Sequence, residues 1–225
     1  MQRSLILVLA GLLATVAFGA AGVDVSTDFV SEYVFRGVTM RQGASLQPSV
    51  AYSFLDTGRA TVWTNLRLEN SVSLSETDYS LQWTGVTRSP AAFTLGAVYY
   101  DRARRHPLPK TAELFAGVDF QVPGSPAVYA WYDCDRRTGF YWELSASHRF
   151  LLPDYRGTFD LSASLGFDTG RLNGFQDARL SFGVTRQVGE WRLRPSLDLH
   201  FPSSDADRGA HSFRPVFRLT ASRSF

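Results

Sequence analysis

The residues of this chain that can do chemistry sit at alternate positions. Asp24, Asp28, Glu32, Glu76, Asp78, Glu113, Asp119 and Glu143 occupy the earlier part. Arg149, Arg179, Arg192, Arg194 and Arg218 occupy the later part, with Arg36 as an early exception. Each lies in a run whose polar and apolar residues alternate with a period of two. That period puts the charges on one face of a β-strand and the apolar side chains on the other. If the strands close around a wet lumen, opposed rows of charge set up a transverse field that selects among polar solutes. Arginine suits carboxylate or phosphate contacts, because its fork is planar and always charged. The candidate lumen and solute-binding residues are therefore Arg36, Arg149, Arg179, Arg192, Arg194, Arg218, Glu32, Asp78 and Glu113. The competing expectation is that these groups pair with one another and fill the bore, as side chains often do in small barrels.

Other chemistries fit less well. Ser196, Asp198 and His200 share one strand face, the residue types of a hydrolytic relay. Neighbours two apart on a strand lie roughly 6.5–7 Å apart, too far for a hydrogen-bonded relay within one strand. His148 is expected at the wrong leaflet for a lipid hydrolase, and His106 and His211 in loops. No enzyme activity, metal or cofactor is expected. Asp205, Asp207 and His211 read as a solvated loop rather than a cation site. Cys134, the only cysteine, rules out an internal disulfide and reads as a tolerated loop residue between Asp133 and Asp135.

The elements that must position these groups repeat along the chain. The first predicted strand runs from Val23 to Gly37, with Val25, Phe29, Tyr33 and Phe35 on its apolar face and a polar loop following to Gly43. Further apolar faces begin at Leu46, Ala60, Tyr79, Phe93, Ala112, Val128, Phe140, Phe159, Ala178 and Trp191. The last strand, Phe213 to Phe225, alternates Phe217, Leu219 and Ala221 with Arg218, Thr220 and Ser222. The total is about twelve strands. Connections after the even-numbered ones are short, such as Asp56-Thr57-Gly58 and Val188-Gly189-Glu190. Those after the odd-numbered ones are longer and more polar, among them the basic stretch Asp101 to Lys110 with Arg102, Arg104, Arg105 and His106. None is long enough to predict a plug. An even strand count with alternating loop lengths predicts a transmembrane antiparallel up-and-down β-barrel with both chain ends in the periplasm. Pro48 and Pro195 fall on apolar faces within strands, which argues for edges, bulges or strand-end positions there.

The composition agrees. Aromatics make up 14% of the chain, and they recur on the apolar faces near strand ends, as in the girdles of membrane barrels. A soluble β-sandwich would instead turn these faces inward and carry a charge-rich exterior. Residues 1–21 read as a secretory signal peptide, with Arg3, an apolar run and small residues up to Ala21. Residues 22–225 are then the barrel. Without Arg3, 22 basic residues face 21 acidic ones, a net charge of +1. This gives no electrostatic argument for nucleic acid.

One stretch is more specific. Ser31-Glu32-Tyr33-Val34-Phe35-Arg36-Gly37 resembles the opening motif of the TorF-like family of outer-membrane porins. Trp63-Thr64-Asn65, Glu76-Thr77-Asp78-Tyr79, Tyr99-Tyr100 and Glu113-Leu114-Phe115 are similar to shorter stretches of that family. The resemblance implies a pore in the bacterial outer membrane, but no established substrate and no catalytic residues. The expected partners are outer-membrane lipids and lipopolysaccharide, small solutes, and the barrel assembly machinery reading the strand that ends in Phe225.

Overall fold

The structure is a computed structural model. It describes residues 22–69, 71–86, 90–103, 106–135, 139–153, 156–170, 173–204 and 213–225. Residues 1–21, and with them the predicted signal peptide, lie outside the described residues, as do Arg104, Arg105, Asp205, Asp207 and His211.

Alternation of this kind makes strands, and the strands close. β1 (Val23–Val30) is followed by a short hairpin, β2 (Tyr33–Phe35) and β3 (Val38–Arg41). Eleven more strands complete the wall: β4 (Ser45–Phe54), β5 (Gly58–Leu68), β6 (Val72–Val86), β7 (Ala91–Arg102), β8 (Thr111–Phe120), β9 (Ala127–Asp133), β10 (Phe140–Leu152), β11 (Gly157–Asp168), β12 (Gly174–Val188), β13 (Trp191–Pro202) and β14 (Arg214–Ser224). Each pairs antiparallel with its neighbours. β1 closes the ring by pairing β14 on one side and β4 on the other, giving a closed barrel of twelve strands. Closure leaves no sheet edge with unpaired backbone groups. The end of the barrel that carries Val23 and Phe225 is called the lower end.

The faces are inverted relative to a soluble protein. Tyr79, Leu81, Trp83, Phe93, Leu95, Trp142, Phe150 and Phe217 all stand exposed on the outside. Gln47, Asn65, Glu76, Arg102, Glu113, Asp177, Asp198 and Arg214 are buried inside. The prolines behave as their chemistry requires. The β4–β5 ladder lapses at Gln47 and Pro48, and the β12–β13 ladder at Arg194 and Pro195.

Two expectations are corrected. The first strand does not run to Gly37. It leaves the wall after Val30, where the Ser31 N–H makes a last bond to the Phe217 carbonyl at 2.9 Å. The residues that continue the apparent alternation form β2 and its turn instead, and this hairpin folds into the bore. The connection after the first strand is therefore a plug, against the expectation from loop length. A short hairpin suffices because the bore is narrow. The second correction concerns Arg102, expected in a basic loop. β7 extends through it and turns it inward.

Candidate functional site

The hairpin crosses the upper bore. Its turn is Arg36-Gly37, with φ of 49° and 74°. A two-residue turn with positive φ at both positions matches the twist of antiparallel strands. Glycine accepts that conformation freely and arginine does not. Gly37 also has no room for a side chain, since a Cβ there would meet Asp177. Arg36 is held in its unfavourable backbone region by what its side chain reaches. It forms a bidentate pair with Glu113 on β8, at 2.8 and 2.7 Å. Its guanidinium lies over the Trp131 ring at 5.1 Å and the Tyr141 ring at 4.3 Å. Gln176 on β12 donates to the Arg36 carbonyl at 2.7 Å.

The root of the hairpin is fastened to β6. The Tyr33 hydroxyl donates to Glu76 at 2.8 Å, and its ring lies 5.6 Å from Trp63. Burial and the neighbouring Glu76 and Asp78 carboxylates hold that hydroxyl well above the ordinary phenol range. Glu76 also accepts from Arg102 Nε at 2.5 Å and has His106 Nε2 at 3.3 Å. Arg102 is completed by the Pro109 carbonyl at 3.0 Å. Glu32 pairs with Arg214 at 3.0 Å. Glu76 thus joins the hairpin to the loop above β7, so Arg102 and His106 serve the bore rather than an outer basic tip.

The predicted lumen residues divide between two levels. Glu32, Arg36 and Glu113 belong to the hairpin level. Asp78 lies there too, beside Trp63, but it makes no ion pair among the described residues, and its Oδ1 is buried without a hydrogen-bond partner. Arg179 faces the bore opposite His200 in the β12–β13 register, also without an ion pair among the described residues. Arg218 marks the boundary below the hairpin. It is clamped between Asp28 at 2.6 Å and Asp198 at 3.1 Å.

Below Arg218 the bore widens into a cavity of about 780 Å³. Arg149, Arg192 and Arg194 line it, with Asp160, Thr185 and Ser222 between them. Asp160 is within 2.9 Å of Arg149 and 3.6 Å of Arg194, and it accepts from Thr185 at 2.6 Å. Arg192 contacts the Ser224 hydroxyl at 3.4 Å and makes no ion pair among the described residues.

The predicted residues are therefore all in the bore or on the hairpin that fills it, but they do not form two opposed charged walls. Most acids and arginines pair across the strands, in line with the competing expectation. Sequence reasoning missed Asp160, the pairing of Asp198 with Arg218, and Arg59, which closes the lower ring by pairing Asp24 at 2.7 Å. It also missed the Gln47–Asn65–Ser75 chain, with bonds of 3.0 and 2.7 Å. Their signal was present, since all but Ser75 fall on polar alternate positions. In the Ser196, Asp198 and His200 set, Asp198 is engaged by Ser181 at 2.6 Å and by Arg218, while Ser196 Oγ and His200 Nδ1 have no partner.

Fold and site together define a class: a closed twelve-stranded antiparallel barrel, apolar outside, with a hairpin inside a polar bore. No family model and no curated protein matches the chain. Among solved structures it is similar to a bacterial polysaccharide outer membrane secretin, at 10% identity and a TM-score of 0.47, over 91% of this chain and 97% of that one.

Proposed function

We propose that the protein is a narrow outer-membrane channel for small polar, preferentially anionic solutes, constricted by its own hairpin. The observation that carries this reading is the lower cavity, where three arginines face about 780 Å³ of open space and one aspartate, Asp160, pairs with two of them, Arg149 and Arg194. An uncompensated positive surface around a narrow entrance raises the local concentration of anions. The TorF-like resemblance points the same way, toward a porin of the bacterial outer membrane with both chain ends in the periplasm. The exposed aromatic exterior suits contact with lipid and lipopolysaccharide. No reaction is assigned to the protein.

A second reading is a closed structural barrel. The matched pairs at the hairpin favour it, because Arg36–Glu113 and Arg102–Glu76 fill the bore with satisfied charge. Conductance separates the two. Protein reconstituted in planar bilayers under a potassium chloride gradient is expected to show small channel events with a reversal potential favouring chloride. The absence of events above the lipid background leaves the closed barrel as the better account.

A further inference from the structure

Behind the hairpin lies a smaller cavity of about 240 Å³, lined by other residues than the lower vestibule and different from it in chemistry. Tyr33, Phe35 and Trp63 give it aromatic walls, and Asp78, His200 and Arg218 give it polar ones. Two buried atoms here lack partners: Asp78 Oδ1 and His200 Nδ1. His200 is 94% buried, its relative exposure being 6%. A buried carboxylate oxygen without a partner is costly, and a donor or cation supplied from outside removes that cost.

The charges decide which kind of ligand fits. Arg218 is neutralised twice, by Asp28 and Asp198, which leaves that triad one negative charge in excess. Glu32 is balanced by Arg214. Arg179 brings one positive charge toward His200 from β12. Asp78 then remains as the acid without an arginine of its own. Glu76, two residues along the same strand, already holds Arg102. An anion is disfavoured here. A neutral polyol could bond to Asp78 but would supply no positive charge to hold it as the carboxylate. Aromatic faces beside an unmatched carboxylate are the surroundings that attract an organic cation.

We propose that this cavity binds a small organic ammonium group, with Asp78 as counter-ion, Trp63 and Tyr33 as π faces, and His200 Nδ1 as a further polar contact. The site is opposite in sign to the arginine vestibule. Thr220 lines the vestibule and Arg218, two residues along β14, lines this cavity, so the two adjoin. A zwitterion would satisfy both, its carboxylate in the vestibule and its ammonium behind the hairpin.

The test is isothermal titration of the full barrel in detergent micelles with choline chloride, glucose and sodium acetate. Choline is expected to give saturable heat, and glucose and acetate none. Asp78→Asn keeps the shape, removes the charge and is expected to weaken choline at least tenfold. Heat-modifiable gel migration reports whether the variant barrel is folded. If Asp78→Asn does not fold, Trp63→Leu carries the same test by removing a π face, again with at least tenfold weakening. Choline binding unchanged in the folded variants, glucose binding as well as choline, or no saturable choline heat overturns the proposal; the last outcome would mean a cavity holding water only. Titration needs no conduction. A non-conducting barrel that binds choline upholds this site while sinking the channel reading, and a conducting barrel that ignores choline does the reverse.

Discussion

The two levels of the bore are built by the same strands and use charge in opposite ways. At the hairpin, Arg36, Arg102 and Arg214 each have a carboxylate, at 2.7, 2.5 and 3.0 Å. In the vestibule, Arg149 and Arg194 share Asp160, and Arg192 has no ion pair among the described residues. The difference traces to one connection. Residues 31–44 turn back into the barrel and bring Glu32 and Arg36 with them, so wall charges above Arg218 find partners from the chain's own loop. Among the described residues no segment enters below it, and the arginines there keep their field for whatever comes in from solution. Matched charge makes a constriction, and unmatched charge makes a binding surface.

The strongest way to break this contrast is to remove the hairpin. Replacing residues 32–42 by a short turn should leave the twelve wall pairings intact and make the upper bore as open as the lower. Single-channel conductance is then expected to rise several-fold over wild type. An unchanged conductance would show that the hairpin is not what narrows the path.

A smaller effect follows from leaving one hairpin charge without its partner. Glu113→Ala strands Arg36 among Tyr100, Trp131 and Tyr141 with no counter-ion. Breaking a buried pair from one side costs about 3–5 kcal/mol. That cost falls on the docked hairpin rather than on the wall. The expected readouts are more frequent open events and faster proteolysis within residues 31–44, with the gel migration of the folded barrel retained. Arg36→Met combined with Glu113→Met removes both charges and should restore much of the docking. If the double variant behaves like Glu113→Ala, the pair does not hold the hairpin.

The same contrast explains how much of the molecule is legible in its sequence. The wall is legible because one physical rule, alternation with a period of two, governs each of its strands. The ladders lapse at Pro48 and Pro195, where the missing N–H argues for edges, bulges or strand-end positions. The hairpin is not legible for the same reason. Tyr33 and Phe35 continue the alternation of Val25 and Phe29, so nothing local separates a strand facing lipid from one facing the bore. The distinguishing facts are long-range: Tyr33 meets Glu76, and Arg36 meets Glu113. That the seven candidates on wall strands face the bore is readable for a related reason, since facing on the wall depends only on parity, whereas Glu32 and Arg36 reach the bore on the hairpin. Pairing depends on register across strands and on the path of one loop, and that is why alternation suggests opposed walls where cross-strand pairs are found. The segment resembling the TorF-like motif, Ser31 to Gly37, supplies β2 and the turn of the plug.

The vestibule side of the comparison gives a weaker but cleaner test. Arg192→Ala with Arg194→Ala removes two of the three arginines and touches no hairpin contact. Conductance should change little, because the constriction lies above. The reversal potential under a salt gradient should move toward cation preference, since Asp160 and Arg149 then remain as a balanced pair. Raising the salt should shrink the difference between variant and wild type, as the Debye length falls to about 3 Å at 1 M. If the reversal potential does not move, the selectivity resides elsewhere in the bore.

The smallest effect belongs to Arg149. Its side chain is 72% exposed although its Nε lies 2.9 Å from Asp160. Exposed pairs contribute roughly 0–1 kcal/mol, and Asp160 keeps Thr185 and Arg194 when Arg149 is removed. Arg149→Ala should therefore leave unfolding in denaturant within experimental scatter of wild type. Its effect on ion selectivity should be well below that of the Arg192 and Arg194 pair, because freeing Asp160 draws it closer to Arg194 and offsets the charge lost. An effect as large as the double variant's would mean that Arg149 rather than Arg192 dominates the vestibule field, and would move the anion-attracting surface from β13 to β10.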